Sequence, residues 1–382
     1  MNKTKVQRNS NLEILRIIAM LFIIAHHFSV HGFGDVNFAI SNANNYIIYF
    51  FGILGKIGVD VFIIISAYFM IDSKFNFKKI IRSRGGTYFY SIMALIIFLF
   101  VLPSAVPITL GMVGTSLLPI SHSAYWFVTD YIVLMLLSPF LNILIKKLSK
   151  SNYLKLMLIL LIIWSIYPTF TGNSFGYSSM VWFIVLYLIG SFIKLHVNVD
   201  KINYNRLFLI FLISTLIIYA GSSIIGYLSI LFDVGNLVNS ENTFTNLYTF
   251  FASERNLFVL ITSVSLFLLF LKRKEFSNKY INYIAGSVLG VYLIHDNVFI
   301  RPFLWKSLFN VSSYYYSSNL ILIALFSIVT IFVICIGIDI IRRETIEKIW
   351  IWILDNKLNM FSNWTIDKFR LFGNLIKNYL KN

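Results

Sequence analysis

Cysteine occurs once in 382 residues, at Cys335 inside an apolar run. That excludes a disulfide within the chain and any cysteine-based metal site, and it leaves redox chemistry without residues to run on. Charge is nearly as scarce: Asp, Glu, Lys and Arg make up 13% of the chain, about half the share of an ordinary soluble domain. Gly/Ser-rich linkers, low-complexity tracts and internal repeats are also missing, so nothing in the sequence marks a boundary between folded units.

What fills the chain instead is hydrocarbon. Hydrophobic residues account for 58%, and apolar runs of about 18 residues or more, long enough to cross a bilayer core, recur from end to end. The reading is an all-α integral membrane protein with about ten transmembrane helices. The spans fall near 12–30, 46–70, 87–103, 124–144, 154–171, 177–194, 207–230, 255–271, 280–300 and 318–341. The first should be retained, because it carries Arg16, His26 and His27 and no small-residue cleavage site follows. The ten-helix domain takes in residues 1–343. Residues 344–382 mix Trp350, Trp352, Trp364 and Phe369 with lysines, the pattern of a cytoplasmic amphipathic tail lying on the inner membrane face.

A net charge of +16 would suggest nucleic acid in a soluble protein, but here the charge is ordered by topology. All Lys and Arg except Arg16, Lys56, Arg255, Arg301 and Lys306 fall in alternate loops or at the two ends. The bias of cytoplasmic loops toward positive charge puts both termini inside a multi-pass protein of the cell membrane, in contact with lipid and not with nucleic acid.

Ionisable residues at membrane depth are costly and therefore point to function. Arg16 and His27 are eleven residues apart, three helical turns plus roughly 20°, which sets them on one stripe about 16 Å apart along the axis. His31 continues that stripe, whereas His26 lies to one side of it.

Four blocks then carry a resemblance: Arg16 and His27 with ten residues between them; Gly58-Val59-Asp60-Val61-Phe62 running on to Ser66; Tyr125-Trp126-Phe127 followed by Ser138-Pro139-Phe140-Leu141-Asn142; and Tyr292-Leu293-Ile294-His295. Together, in this order and over nearly the whole chain, they resemble acyltransferase family 3, membrane-bound enzymes that acylate surface polysaccharides and other acceptors. The resemblance implies acyl-CoA, most simply acetyl-CoA, as donor, a surface or lipid-linked glycan as acceptor, and no metal.

It also implies His27 as the catalytic base or nucleophile, with Arg16 lining the donor path and Asp60 as its counter-ion. Many members carry two arginines, separated by two residues, after the second helix to hold the CoA phosphates. Here Lys79 and Arg82 occupy that spacing, with Arg84 displaced, and a lysine lacks the two-pronged donor fork of an arginine. The basic loop serves phosphate binding or topology alone. His295 holds acceptor hydroxyls or ends its helix beside Asp296. Trp126 stacks on sugar or belongs to the aromatic belt, and Tyr292 joins the substrate residues. Ser66 is a packing or a catalytic residue. A flippase for a lipid-linked glycan, which would need no acyl donor, is the alternative reading; a glycan polymerase would show a larger outer loop than 231–254.

Overall fold

The computed structural model describes residues 8–34, 36–75, 77–172, 176, 178–232 and 250–353, the side chains of 77–79 and 82–84 excepted. Among these residues the protein is helical, with no strand. Helix α1 spans Ser10–Gly32, α2 Asn44–Met70, α3 Phe77–Phe100, α4 Leu110–Leu117, α5 Trp126–Lys147 and α6 Lys150–Leu161. A π-helical turn, Ile162–Ile166, joins α6 to the short α7, Tyr167–Thr171, and α8 (Ser179–His196) and α9 (Tyr204–Leu231) follow. Next come α10 (Leu257–Leu271), α11 (Lys279–Ala285) and α12 (Val288–His295), then α13 (Ile300–Pro302) running into a second π-helical turn, and α14 (Leu320–Glu344).

Among the described residues, seven helical stretches are long and apolar enough to cross a membrane. Two further stretches that the sequence marks as spans form shorter apolar helices, Gly85–Phe100 and Leu257–Leu271. The stretch read as 280–300 breaks: Lys279–His295 and Ile300–Tyr314 meet at 87°. Of the stretch that the sequence reads as an amphipathic tail, the structure describes residues up to 353, with Trp350 against Gly85, and Trp364 and Phe369 lie outside the described residues.

Helix α2 is the pillar of the bundle. Its most apolar window is 78% buried, against 17% in α9 and 11% in the Lys150–Thr171 helix, so the latter two face lipid while α2 is covered by α1, α8, α9 and α10. In an apolar solvent, helices associate through close packing, which small residues permit. A Cβ added at Gly58 would stand 2.5 Å from the Ala19 carbonyl oxygen, and one at Gly55 would stand 2.4 Å from His26 Cβ. The two glycines thus let α1 lie directly on α2. On the opposite side, Gly190 of α8 would meet the Ile64 carbonyl oxygen at 2.7 Å.

One end of the bundle gathers the basic loops. Ser10 Oγ donates to Asn282 Oδ1 at 2.8 Å, Asn11 Nδ2 to the Lys274 carbonyl at 2.9 Å, and Lys272 Nζ to the Asp200 carbonyl at 3.0 Å. Lys194 approaches Asp72 at 4.0 Å on the same end. Polar caps tie the other end together: Tyr315 Oη donates to Asn45 Oδ1 at 2.7 Å, and Asn44 Nδ2 donates to the Ser317 carbonyl at 2.9 Å.

The α1–α2 contact gives a direct test. Gly58→Leu forces a side chain into backbone, an overpacking cost of about 1–3 kcal/mol or more, and should lower the melting temperature of the purified protein by several degrees. Gly337→Ala on α14, where an added Cβ meets nothing within 4 Å, should leave melting unchanged. Equal melting of both variants would mean that α1 and α2 do not touch as described.

Candidate active site

A cavity of about 750 Å³ follows α1 along its length. At the basic end it is lined by Arg8 and Gly286; it passes Arg16, Met20 and Ile23, and at the opposite end it reaches His27, His31 and Arg301. Across from α1 its wall is built from Val59 and Phe62 of α2, Phe127 and Tyr131 of α5, and Leu289 and Tyr292 of α12. The stripe of Arg16, His27 and His31 therefore opens into one continuous space. His26 lines it as well, with its Nδ1 2.6 Å from the Gly52 carbonyl oxygen.

His27 meets the last turn of α12. Its Nδ1 lies 2.9 Å from His295 Nε2, and His295 Nδ1 lies 2.6 Å from the Val291 carbonyl oxygen. A carbonyl oxygen only accepts, so the proton of a neutral His295 ring is assigned to Nδ1 and its Nε2 holds a lone pair. His27 Nδ1–H then donates to that lone pair. Neutral His27 is left with a bare Nε2, for which the described residues offer no hydrogen-bond partner. Asp296 Oδ1 is 3.7 Å from His27 Nδ1 and accepts from the Arg301 guanidinium at 3.1 Å. A carboxylate thus stands beside the imidazole, close enough to stabilise a positive charge on it.

The break after His295 makes this arrangement possible. Irregular backbone at membrane depth is tolerated where it lines a cavity and its polar groups find partners. Asn297 Oδ1 accepts from the Phe299 amide at 3.0 Å, Asn297 Nδ2 donates to Tyr125 Oη at 2.7 Å, and Tyr125 Oη donates to the Leu293 carbonyl at 3.0 Å. Tyr125 is therefore a buried latch across the break.

Arg16 is 24% exposed in its side chain, onto the cavity. Its counter-ion is Glu13, one turn away on α1, whose two carboxylate oxygens lie 2.9 and 3.1 Å from the same guanidinium nitrogen. Asp60 is not brought to Arg16: fully buried behind Val59, it accepts from Trp182 Nε1 at 3.0 Å. Helical geometry accounts for the difference, since a residue three positions away on the same helix reaches the guanidinium without crossing to another helix.

Trp126 lines the cavity, and Lys56 Nζ lies over its ring at 5.0 Å while pairing with Glu254 at 2.9 Å. Tyr292 also lines the cavity, its hydroxyl buried beside Asp296 without reaching hydrogen-bond geometry. Ser66 Oγ donates back to the Phe62 carbonyl at 2.8 Å and accepts from Tyr131 Oη at 3.2 Å. Lys79, Arg82 and Arg84 fall in the first turns of α3, and their side chains lie outside the described residues.

Ligand atoms of His27, His31 and Asp296 lie within 4.8 Å of one another, a spacing at which three donors could share a metal ion. In the protein as it stands, Asp296 is engaged with Arg301 and His27 Nδ1 with His295. Glu254, Arg301 and Asn297 had no signal in the sequence beyond being polar residues near span ends, and Lys56 none beyond being a cation within a span; only the fold sets Arg301 on the Asp296 that stands beside His27, Lys56 on Glu254, and Asn297 on Tyr125.

Comparison with protein families finds a match to the acyltransferase domain of family 3 over residues 9–340. No curated protein and no solved structure matches the chain.

The latch yields the prediction of this section. Tyr125→Phe removes a donor to Leu293 and an acceptor for Asn297, leaving buried polar groups unpaired at a cost of about 1–3 kcal/mol each. A clear drop in melting temperature is expected. Unchanged melting would show that the break is held by other contacts.

Proposed function

The chain belongs to acyltransferase family 3, and from that premise we propose that it carries an acyl group from cytoplasmic acyl-CoA to a hydroxyl of a cell-surface or lipid-linked polysaccharide on the far side of the cell membrane. The acyl group in this reading is acetyl, delivered by acetyl-CoA. The observation that carries the proposal is the cavity itself. It links the basic end of the bundle, which the charge bias assigns to the cytoplasm, to a bare imidazole nitrogen near the opposite end. A donor that exists on one side and an acceptor that exists on the other need such a passage.

In the proposed reaction the donor's phosphates stay among the basic residues of the cytoplasmic end, with the Lys79–Arg84 turn and Arg8 as ligands. Its pantetheine arm threads past Arg16. Glu13 occupies one nitrogen of that guanidinium, and the others face the arm. At His27 the acceptor oxygen attacks the thioester carbon. The hydroxyl proton passes to His27 Nε2, the new C–O bond forms, the C–S bond breaks, and the proton is handed to the departing thiolate. While the imidazole is charged, Asp296 at 3.7 Å offsets it. In a covalent version the same lone pair takes the acyl group first. His295 acts through His27: by accepting from its Nδ1 it keeps the lone pair on the other nitrogen. Trp126 and Tyr292 line the acceptor's approach. A flippase would have no need of a lone pair held in this way.

Two measurements test the reading. NMR of purified surface polysaccharide should show glycan-linked acetate in cells making the wild-type protein and a loss of about 10²–10⁴-fold in transfer for His27→Ala at matched membrane levels. Equal acetate in both strains sinks the assignment and favours transport. With purified protein, His295→Ala should lower kcat and leave the acceptor KM unchanged, whereas a rise in KM alone would return His295 to acceptor binding. Arg16→Lys should lose most of the activity, because a point charge cannot serve Glu13 and the donor together.

A further inference from the structure

His27 and His31 stand about one turn apart on α1, so their rings share a face, with centroids 5.0 Å apart. Two histidines at this spacing are the pairing that zinc-binding helices use. The break after α12 brings a carboxylate to the same face: one ligand atom from each of His27, His31 and Asp296 lies within 4.8 Å of the others. Ligands about 2.1 Å from a tetrahedral zinc ion stand about 3.4 Å apart, and His27 Nδ1 already lies 3.7 Å from Asp296 Oδ1. Small side-chain rotations close the remaining gap.

The surroundings suit an ion. His31 lines both the channel and an adjoining cavity of about 440 Å³, so the cluster is reached through open space. His27 and Asp296 are largely shielded from water, their side chains 12% and 7% exposed. A carboxylate has two oxygens and about four acceptor positions, so Asp296 can bind an ion while the Arg301 guanidinium, 3.1 Å from its Oδ1, holds it in place. A guanidinium that close lowers the affinity for any dication. The site should therefore favour an ion that bonds imidazole strongly, zinc or a like transition metal, over Mg²⁺ or Ca²⁺, which seek oxygen.

We propose that His27, His31 and Asp296 form an inhibitory site for a divalent transition-metal ion of the zinc type. The ion is not a cofactor. Its effect, which rests on the acyl-transfer reading above, follows from the tautomer of His27. An ion on Nε2 occupies the lone pair that takes the acceptor's proton. An ion on Nδ1 sends the proton of that nitrogen to Nε2, breaks the hydrogen bond to His295 and turns Nε2 into a donor. Either way the base is lost.

The test reads metal binding without acyl donor or acceptor, so it stands apart from acyl transfer. Full-length protein, purified without a histidine tag and stripped of metal, is held in lipid nanodiscs and titrated with Zn²⁺ against a fluorescent zinc indicator. Wild type should take up a single equivalent, which excess Mg²⁺ should not displace. His31→Ala and Asp296→Asn should each weaken binding about ten-fold or more. Loss of His122, an exposed histidine that lines neither cavity, should leave binding unchanged in His122→Ala. X-ray absorption of the wild-type zinc complex decides the matter even if the ligand variants fail to fold: imidazole scattering with ligands at about 2.0–2.1 Å is expected. No binding, displacement by Mg²⁺, a zinc shell without imidazole, or binding that survives both ligand substitutions overturns the proposal. In acetate transfer by the purified protein, zinc should suppress the wild-type rate and a chelator should restore it; bound zinc with undiminished transfer overturns the inhibitory role. Zinc held by these ligands in a protein that transfers no acetate even when free of zinc would overturn the acyl-transfer reading and leave the metal site standing.

Discussion

The hydrogen bond from His27 to His295 is the contact on which the rest of the site depends. It joins the first helix of the bundle to the turn where the chain breaks, 268 residues later. It also sets the chemical state of the ring. Because the Val291 carbonyl fixes the proton of His295, and His295 in turn fixes that of His27, two neutral imidazoles become an ordered pair with one free lone pair. No charge is needed to hold the order, which matters where charge is expensive. The ordering requires α1 to lie within side-chain reach of α12, and α1 is held where it is by glycines that let it rest on α2.

The bundle treats its ionic groups consistently. Arg16 has Glu13, Arg301 has Asp296, Lys56 has Glu254, and Arg342 has Asp339 at 2.9 Å. Pairing limits the cost of each burial without removing the polar character of the cavity walls. The lipid-facing helices α9 and Lys150–Thr171 contribute little to this cavity. They widen the body around α2, α1 and α10 and carry apolar side chains outward.

Much of this was legible in the sequence, for reasons that separate what is local from what is not. The helical class follows from apolar length, and the Arg16–His27 stripe follows from the geometry of a single helix, so both could be read residue by residue. The break at His295–Asp296 could not, because the run 280–300 has the composition of an unbroken span; the partner that stabilises the break, Tyr125, lies more than 160 residues earlier. Asp60 sat at a suggestive depth, but depth does not say which way a side chain turns, and its carboxylate turns to Trp182. The Lys56–Glu254 pair was hidden for the same reason: its two residues are neighbours only after the chain has folded.

A cavity that runs along a membrane helix is also an electrical hazard, since a space lined by polar groups admits ions. Arg16, Lys56 and Arg301 line it at successive depths, and each is paired with a carboxylate: Glu13, Glu254 and Asp296. Walls built of such pairs carry neither sign in excess, so they draw neither cations nor anions from water by net charge. The pairing that makes burial of these groups tolerable is thus also what keeps the cavity from favouring ions of one sign.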